Sequence, residues 1–336
     1  MTYFEALETF DKSVHPVVVQ RYGMDGYNMK PVNSHEGGRN LVCICEKEQE
    51  PSRVLRISYQ NDRSEEDYLA ELEFVRYLHD NGVSVANVIS SKNGKLVETI
   101  DCDGQKLFVA VFEKAPGMQL AENGYRYREG APLTEYFYNC GKALGKIHQL
   151  SKEYQPVHHR YHFEDKFNME YINGLLPDSL SDVKSRISEI LRDLAKIEKS
   201  AKVYGMVHFD YSDGNYHIDF ESGQITVYDF DNCCHAWYIY DLAELWTHGE
   251  GWIMFEEDPE KRMAFMKDYM AEILRGYRTE TSIDDEMVRM LPLFIKANRI
   301  ELLVDAFEVE RATGENYLDD EDLNEIRRCL LQGKLI

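Results

Sequence analysis

Two short polar segments, one in a loop and one at the end of a strand, constrain this chain more than any other feature. The first runs from His208 to Asn215 and places Asp210 five residues before the asparagine. The second begins with the apolar run 225–228, which has the composition of a β-strand and ends directly before Asp229. Aspartate and asparagine at such positions can serve as a general base and as oxygen ligands of a divalent cation.

Charge and spacing support a metal site at the second segment. Asp231 lies two residues beyond Asp229, so both carboxylates would face the same side of an extended chain. Two carboxylates that lie so close repel each other unless a cation lies between them. For the first segment an ordinary turn is the alternative, because His-x-Asp is a common string and Asp213-Gly214-Asn215 is typical turn sequence.

Phosphoryl transfer requires this combination of groups. The acceptor hydroxyl must lie in line with the transferred phosphate, and a metal ion must neutralise charge on the phosphate oxygens. We therefore expect Asp210 to orient the acceptor hydroxyl or take its proton, and Asn215 and Asp229 to bind Mg²⁺. These roles predict an enzyme that moves the γ-phosphate of ATP to a hydroxyl group.

The segment 208–243 resembles the aminoglycoside phosphotransferase and choline kinase-like family, whose members have a protein-kinase-like fold. That family shows His-Gly-Asp-x-x-x-x-Asn, then Asp-Phe-Asp or Asp-Phe-Glu, and then Asp-Leu-Ala, and this chain departs from it at Phe209, which replaces the glycine. The resemblance implies ATP and Mg²⁺ as cofactors. It implies chemical roles for four residues: Asp210 as the base, Asn215 and Asp229 as metal ligands, and Asp231 as a ligand of a second metal or a carboxylate behind the first. It also implies that His208 and Asp241 support the loop.

Hydrophobic periodicity predicts a β-rich first third and a helical remainder. The strand-like runs are 41–45, 54–57, 95–100 and 106–112. The helical patterns include 64–81, 134–150 and 183–203. With the family resemblance, this predicts an α+β, bilobal, protein-kinase-like fold. Its parts would be a nucleotide-covering lobe at 1–112, a hinge at 113–116, and a helical lobe with the catalytic loop and acceptor site at 117–336.

The balance of charges is acidic, with 60 Asp and Glu against 38 Lys and Arg. A negative surface repels phosphate backbones, so nucleic acid is not an expected partner, and a cationic small molecule suits the charge, although solubility alone explains it. The seven cysteines lack framework spacing, the N-terminus lacks signal-peptide features, and no apolar run approaches the roughly 20 residues that span a bilayer. We expect a cytoplasmic protein without a membrane partner, and the oligomeric state stays open.

Two weaker signals concern the nucleotide. Gly37 and Gly38 precede the first strand, where glycine would let the backbone approach a phosphate, although an ordinary loop has the same composition. The family resemblance places the hinge at 113–116, where backbone groups of Glu113 and Ala115 would bind the adenine ring.

Arg56 occupies the strand position that resembles the phosphate-binding lysine of the family. Arginine keeps the positive charge and can donate to two oxygens, but it is longer and planar, so the geometry must differ. Its predicted partner is Glu71, which borders the apolar face of the helix at 64–81, and Glu73 is the alternative.

The family resemblance places the acceptor site in the helical lobe, with candidates Asp213, Trp237, Tyr238, Trp246 and Glu250. Aromatic rings beside carboxylates can bind an ammonium group, although such rings more often pack in a core. The expected acceptor is the hydroxyl of an amino alcohol, a hydroxy amino acid, a sugar or an aminoglycoside. Two alternatives stay open. The loop 33–39 and the chain length also resemble the stress-response Ser/Thr protein kinases, and Arg56 in place of lysine would suit a catalytically weak, nucleotide-binding scaffold.

Overall fold

The computed structural model describes residues 1–32, 38–60, 62–102 and 104–335. These residues form two compact units. The first unit consists of Met1–Pro116, Tyr154–Arg160 and Thr226–Asp231. The second unit consists of Gly117–Glu153, Tyr161–Ile225 and Asn232–Ile336. The first unit therefore includes two segments from later in the chain, and one of them carries Asp229 and Asp231.

Within the described residues, the first unit contains a six-stranded sheet in which all neighbours are antiparallel. Its strands are β1 (Asn28–Pro31), β2 (Asn40–Glu46), β3 (Arg53–Ser58), β4 (Val88–Ile89), β5 (Glu98–Cys102) and β6 (Gln105–Glu113). The order is β1-β2-β3-β6-β4, and β5 also pairs with β6. The register places Arg56 of β3 between Val42 of β2 and Ala110 of β6, so the arginine projects from the middle of the sheet.

Two N-terminal helices of the first unit escaped the sequence analysis. They are α1 (Tyr3–Thr9) and α2 (His15–Tyr22), joined by the π-helical turn Phe10–Val14. The buried residues recur at every fourth position, as Ala6, Phe10, Val14, Val18 and Tyr22. An α-helix has 3.6 residues per turn, so side chains spaced exactly four residues apart shift gradually around the helix. The wider π-helical turn compensates for this shift and keeps the apolar side chains on one face.

The third helix of the first unit, α3 (Glu65–Asp80), matches the prediction at 64–81. Ser64 and Asp67 form a capping box at its start, in which each side chain accepts a hydrogen bond from the backbone N–H of the other. Its buried face includes Tyr68, Leu72 and Val75 together with Glu71. A buried glutamate on an apolar helix face requires a positively charged or hydrogen-bonding partner.

The second unit is mostly helical. Its helices are α4 (Leu133–Ser151), α5 (Phe163–Lys166), α6 (Met169–Leu175), α7 (Ser181–Leu194), α8 (Ile239–Gly249), α9 (Pro259–Tyr277), α10 (Asp285–Arg289), α11 (Leu291–Thr313) and α12 (Asp320–Gln332). Short strands are β7 (Tyr204–Val207), β8 (Tyr216–Ile218) and β10 (Cys234–Trp237), with β9 (Ile225–Val227) where the chain passes into the first unit. The helix predicted at 183–203 ends at Leu194, which is the last residue of the buried series. Nowhere in the described ranges is a helix long and apolar enough to cross a membrane.

Helices α4 and α9 pack closely because glycines face the partner backbone. A Cβ atom on Gly141 of α4 would lie 1.9 Å from the carbonyl oxygen of Ile273, and one on Gly276 of α9 would lie 1.9 Å from the carbonyl oxygen of Tyr138. Any larger residue would push the helices apart. This packing fixes α4, which carries His148 in its last turn.

Candidate active site

The loop that follows β7 is held by the carboxylate of Asp241, in the first turn of α8. Its Oδ2 accepts a hydrogen bond from the backbone N–H of His208 at 2.8 Å, and its Oδ1 accepts one from the N–H of Phe209 at 2.9 Å. The Nε2 atom of His148 lies 3.0 Å from Oδ2, and both Asp241 and His148 are fully buried. Because Asp241 satisfies two adjacent loop N–H groups, it fixes the backbone directly before Asp210.

Phe209 shows why the family pattern has glycine at this position. Its φ angle is +67°, in the left-handed region that disfavours side chains with a Cβ atom. The Phe209 ring stacks on Tyr240, with centroids 4.2 Å apart and planes within 5°, and it also contacts Phe163 and Phe167. Aromatic packing therefore compensates for the strained backbone.

Asn215 is held within the loop by its own side chain. Its Nδ2 donates to the carbonyl oxygen of Asp210 at 2.8 Å, and its backbone N–H donates to the carbonyl of Ser212 at 2.9 Å. The Nε2 of Gln119 donates to the carbonyl of Gly214 at 2.7 Å. Since Nδ2 is bonded to Asp210, the Oδ1 atom of Asn215 is the part of the side chain that can bind a cation.

Glu244 is a buried carboxyl group that the sequence analysis missed. It lies one turn after Asp241 on α8, and its Oε2 accepts a hydrogen bond from the N–H of Tyr211 at 2.8 Å. Burial raises its pKa well above the usual range, and the nearby charges of Asp210 and Asp241 raise it further. The spacing of three from Asp241 was the available signal, because it places both carboxyl groups on the same face of α8.

A polar stripe on α11 also escaped the sequence analysis. Asn298, Glu301, Asp305 and Glu308 recur at helical spacing and share one face. Asp305 accepts from the Tyr317 hydroxyl at 3.0 Å, whereas Glu308 accepts from the hydroxyl of Tyr171 and lies 3.2 Å from the ammonium of Lys166. In contrast, the side chain of Glu301 acts on its charged neighbours among the described residues without a hydrogen bond or a close ion pair.

The environment of Glu301 disfavours its charged form. Burial raises its pKa to about 8, with further contributions from the negative charges of Asp305, Asp210 and Glu308, while Lys166 opposes them. Glu301 therefore lies in the same electrostatic environment as Asp210. Several carboxyl groups therefore interact with one another in this region of the second unit.

In the first unit, Arg56 of β3 and Glu71 of α3 form a two-pronged ion pair. Each terminal nitrogen of Arg56 lies 2.7 Å from a different carboxylate oxygen of Glu71, and both residues are buried. Glu73, the alternative partner, instead lies 2.9 Å from Nδ1 of His158. Replacement of the family lysine by arginine thus preserves the ion pair with the helix.

Asp229 lies at the edge of this ion pair. Its side chain is 47% exposed, and its Oδ1 lies 3.9 Å from Nη1 of Arg56. Its φ angle is +61°, so the chain turns sharply after β9. Aspartate tolerates the left-handed region better than most residues, but the conformation still requires support from its surroundings.

The expectation of an extended chain from Asp229 to Asp231 is wrong. The left-handed turn at Asp229 leads into the 3₁₀ turn Phe230–Asn232, so the two carboxylates do not follow strand geometry. Arg63 contacts the carboxylate of Asp231, and Nδ2 of Asn40 donates to it at 3.2 Å. The sequence argument placed a metal between the two carboxylates, whereas the structure places an arginine at Asp231.

The charge of Asp231 is balanced by basic side chains. Burial alone would raise the pKa of this carboxyl, but Arg63, and after it Arg56, Arg160 and Arg39, hold the pKa far below its usual range. Over the described ranges, no three histidine, cysteine, aspartate or glutamate side chains come together in a way that could hold a metal ion. Magnesium commonly takes only one or two protein carboxylates and fills its other positions with water and phosphate oxygens, so the carboxylate of Asp229 remains compatible with this ion.

The predicted nucleotide loop lies partly outside the described residues. Gly37 is outside them, while the carbonyl oxygen of Gly38 accepts a hydrogen bond from the hydroxyl of Tyr59. At the predicted hinge, the N–H of Glu113 donates to the carbonyl of Asn87 at 2.8 Å, so only the carbonyl of Glu113 could serve an adenine ring. Ala115 is buried beside it.

Two of the predicted acceptor residues lie in the core of the second unit. Trp237 and Tyr238 are each 2% exposed. Trp237 packs against Tyr204 and Phe294, and the Tyr238 ring packs against the imidazole of His148. Both side chains therefore pack in the core, and the expectation that they contact the acceptor is wrong.

The other three candidates differ in environment. Trp246 is 6% exposed, whereas Asp213 is half-buried within the catalytic loop. Glu250 lies 2.6 Å from Nη2 of Arg299, and burial raises its pKa to about 7 against the opposing charge of that arginine. Asp213 therefore remains the best placed of the original candidates.

Comparison with known proteins agrees with this geometry. Residues 32–279 match the model of the phosphotransferase enzyme family. Amicoumacin kinase of Bacillus subtilis (strain 168) is 28% identical over 275 residues, which cover 81% of this chain and 78% of that protein. The structure of amicoumacin kinase hAmiN in complex with AMP-PNP, Ca²⁺ and Ami has a TM-score of 0.79 at 26% identity and covers 97% of this chain and 94% of that chain.

A second solved structure shows the same fold at lower identity. The microcompartment-associated aminopropanol kinase has a TM-score of 0.72 at 20% identity and covers 97% of this chain and 100% of that chain. The predicted α+β fold of the protein-kinase-like kind is thus confirmed, and so is the resemblance that the catalytic loop suggested. The family match covers most of the chain, and the chain therefore belongs to the phosphotransferase enzyme family, as a kinase that acts on hydroxyl groups.

Proposed function

We propose that this enzyme transfers the γ-phosphate of ATP to a hydroxyl group of a small molecule that also carries a protonated amine. The observation that carries the proposal is the cluster of carboxyl groups that interact with Asp210. Glu244 and Glu301 both interact with Asp210, and Lys166, which acts on Glu301, lies 3.2 Å from the carboxylate of Glu308. An ammonium group on the acceptor would favour the charged form of Glu301, which its surroundings otherwise disfavour.

Asp210 is the proposed base. The acceptor hydroxyl would donate its hydrogen bond, and then its proton, to a carboxylate oxygen of this residue. Asp241 fixes the backbone before Asp210, which keeps the carboxylate in one position. The raised pKa of Glu244 disfavours a second negative charge beside the base.

The residues present fit a nucleotide with a divalent cation. Asn215 can offer Oδ1 to a cation, and the half-exposed carboxylate of Asp229 can offer oxygens of the preferred type. Arg56, fixed by Glu71, can face phosphate oxygens with its remaining N–H groups. Bound Mg²⁺ would neutralise charge on the phosphates. The AMP-PNP and Ca²⁺ in the amicoumacin kinase structure support ATP and a divalent cation.

The relatives favour a small-molecule acceptor over a protein. Two relatives above 25% identity that match over most of their own length are kinases of amicoumacin. The intact Arg56–Glu71 pair also supports an active enzyme over a catalytically weak scaffold.

The proposal can be tested by ADP release with matched acceptors. We would measure turnover with ATP and Mg²⁺ for a series of amino alcohols and for the corresponding alcohols in which a methyl group replaces the ammonium. Amino alcohols should be phosphorylated with the lower KM, and the Glu301→Gln variant should raise that KM without changing the KM for ATP.

The outcomes separate the parts of the proposal. Equal KM values for the two acceptor series would remove the amine from the proposal but leave the hydroxyl. ADP release that no hydroxyl compound increases, in a protein that binds ATP, would contradict transfer to small molecules altogether.

A further inference from the structure

The backbone carbonyl of Asp231 accepts hydrogen bonds from two buried guanidinium groups. One belongs to Arg63, which also contacts the carboxylate of the same aspartate, and the other belongs to Arg160. Arg160 is 1% exposed and is among the largest fully buried side chains of the described residues. Burial of an arginine is unfavourable unless its N–H groups form hydrogen bonds. The hydrogen bonds of these buried guanidinium groups therefore fix the position of the carbonyl that accepts them.

Arg160 joins the turn at Asp231 to helix α3. Its Nη2 donates to the carbonyl of Asp231, and its Nη1 donates to the carbonyl of Asp67 at 3.0 Å. Asp67 belongs to the capping box that begins α3, and Glu71, one turn later, holds Arg56. One side chain therefore spans the start of α3 and the turn that follows β9.

The turn carries a residue that needs such support. Asp229 is the proposed metal ligand, and its backbone lies in the left-handed region with φ of +61°. A strained conformation persists only where surrounding contacts determine it. Two residues later, Arg63, Arg160 and Asn40 fix the carbonyl and the carboxylate of Asp231.

We propose that Arg160 is a positioning residue that holds Asp229 in its metal-binding conformation and links that conformation to the position of α3. Arg63 assists at the same carbonyl. In this arrangement Asp231 is the carboxylate that anchors the turn and does not itself bind the metal. The inference rests on the proposed metal role of Asp229, and it assigns to Arg160 a function that none of the sequence motifs contains.

Lysine could not replace Arg160 in this role. The two carbonyl groups are bonded to two different nitrogen atoms of a rigid, planar guanidinium. An ammonium group keeps the charge but is a single point at the end of a flexible chain, so it would hold one carbonyl and release the other. Arg160→Lys is therefore the informative variant.

The test uses metal-dependent nucleotide binding as its readout. The full chain would be melted with AMP-PNP over a series of Mg²⁺ concentrations, and with AMP-PNP in EDTA. Arg160→Lys should raise the Mg²⁺ concentration for half-maximal stabilisation by roughly 10- to 100-fold, the usual effect of losing a residue that orients a metal ligand. The affinity for AMP-PNP in EDTA and the KM for the acceptor should stay unchanged.

Arg76→Lys is the matched control. Arg76 lies on α3, the helix that Arg160 contacts, and its guanidinium likewise donates to a backbone carbonyl, that of Val88, and to the side chain of Asn87. This variant should lower the melting temperature without changing the Mg²⁺ requirement. If Arg160→Lys behaves in the same way as Arg76→Lys, Arg160 has a structural role only and the inference is overturned.

Two further results complete the design. If Arg160→Lys fails to fold, Arg63→Lys can be used instead, because Arg63 donates to the same carbonyl of Asp231. This variant should also raise the Mg²⁺ concentration needed for half-maximal stabilisation. An unchanged Mg²⁺ requirement in Arg63→Lys would contradict the inference. If the unaltered protein binds AMP-PNP equally well with Mg²⁺ and with EDTA, Asp229 does not bind a metal ion as proposed. That result contradicts the proposed function, and it would be seen before any variant is made.

Discussion

The two functional turns of this enzyme are anchored with opposite polarity. In the second unit, the loop before Asp210 is held by a carboxylate, Asp241, which accepts hydrogen bonds from backbone N–H groups. In the first unit, the turn after Asp229 is held by arginines that donate hydrogen bonds to the backbone carbonyl of Asp231. Either kind of anchor provides hydrogen-bond partners for backbone groups. The need for such partners therefore does not explain why one anchor is negatively charged and the other positively charged.

The sign of each anchor matches the charge of the side chains around it. Around Asp210 the neighbours are acidic, and Glu244 and Glu301 have raised pKa values partly for that reason. Around Asp231 the neighbours are basic, and its pKa is lowered. A region rich in carboxyl groups suits an ammonium ligand, whereas a region rich in guanidinium groups suits phosphate oxygens. The comparison thus divides the proposed substrates between the two units.

The largest expected effect concerns the base in the acidic region. Asp210→Asn keeps the shape of the side chain but removes its ability to take a proton. We expect kcat to fall by roughly 10²- to 10⁴-fold, the usual contribution of a positioned base. Nucleotide affinity, measured by melting with AMP-PNP and Mg²⁺, should stay the same, because the Asp210 side chain is not among the proposed ligands of the nucleotide or its cation and the backbone carbonyl that binds Asn215 is unchanged. A kcat within a factor of three of the unaltered enzyme would show that Asp210 has another role.

The next effect concerns the basic region. Arg56→Met leaves Glu71 buried without its partner, and breaking a buried ion pair in this way typically lowers the free energy of unfolding by about 3–5 kcal/mol. The double variant with Glu71→Met should recover much of that loss, because two apolar side chains replace the pair. It should still bind AMP-PNP poorly. Chemical denaturation and nucleotide binding of both variants check this, and normal nucleotide binding by the double variant would remove Arg56 from the site.

A smaller effect is the pH dependence of acceptor binding. The pKa of Glu301 is raised to about 8, so the free enzyme holds this carboxyl mostly protonated at pH 7. An ammonium ligand favours the carboxylate and must displace the proton. The acceptor KM should therefore fall by up to tenfold per pH unit from pH 6 to about 8 and level off above it. The groups that face Glu301 include Asp305, Asp210 and Glu308, which raise its pKa, Lys166, which opposes them, and Glu244, whose own pKa Glu301 helps to raise.

Glu301→Gln is the control for this pH profile. The variant should have a higher acceptor KM that no longer changes between pH 6 and 8. Glu244 also titrates abnormally nearby, so a profile that persists unchanged in Glu301→Gln would assign the proton to Glu244 and not to Glu301.

The sequence predicted those features that follow from local spacing. The Asp210–Asn215 loop, the strand before Asp229 and the helix that begins after Ser64 all carry their signal in a few neighbouring residues. The choice of Glu71 over Glu73 also followed from local pattern, because only a residue at the border of the apolar face can face into the sheet.

Features that depend on distant residues were not predictable in the same way. Arg160 lies 71 residues from Asp231, and nothing in the string His158 to His162 indicates which carbonyls it binds. Glu301 lies on a helix whose approach to Asp210 depends on tertiary packing. Trp237 and Tyr238 were expected to contact the acceptor because aromatic composition cannot distinguish a core from a binding site.

The smallest expected effect is a difference in stability between two variants of Phe209, and it tests the strained backbone conformation that both turns share. Phe209 and Asp229 each have a positive φ angle, but Phe209 is the one stabilised by aromatic packing. Phe209→Ala should lower the free energy of unfolding by about 3–5 kcal/mol, because it removes a buried ring and keeps the strain. Phe209→Gly removes the same ring and relieves the strain, so it should be more stable than Phe209→Ala by about 1 kcal/mol. At most other positions a glycine variant is less stable than the alanine variant. If urea denaturation shows that Phe209→Ala is more stable than Phe209→Gly, the left-handed conformation at position 209 is not strained.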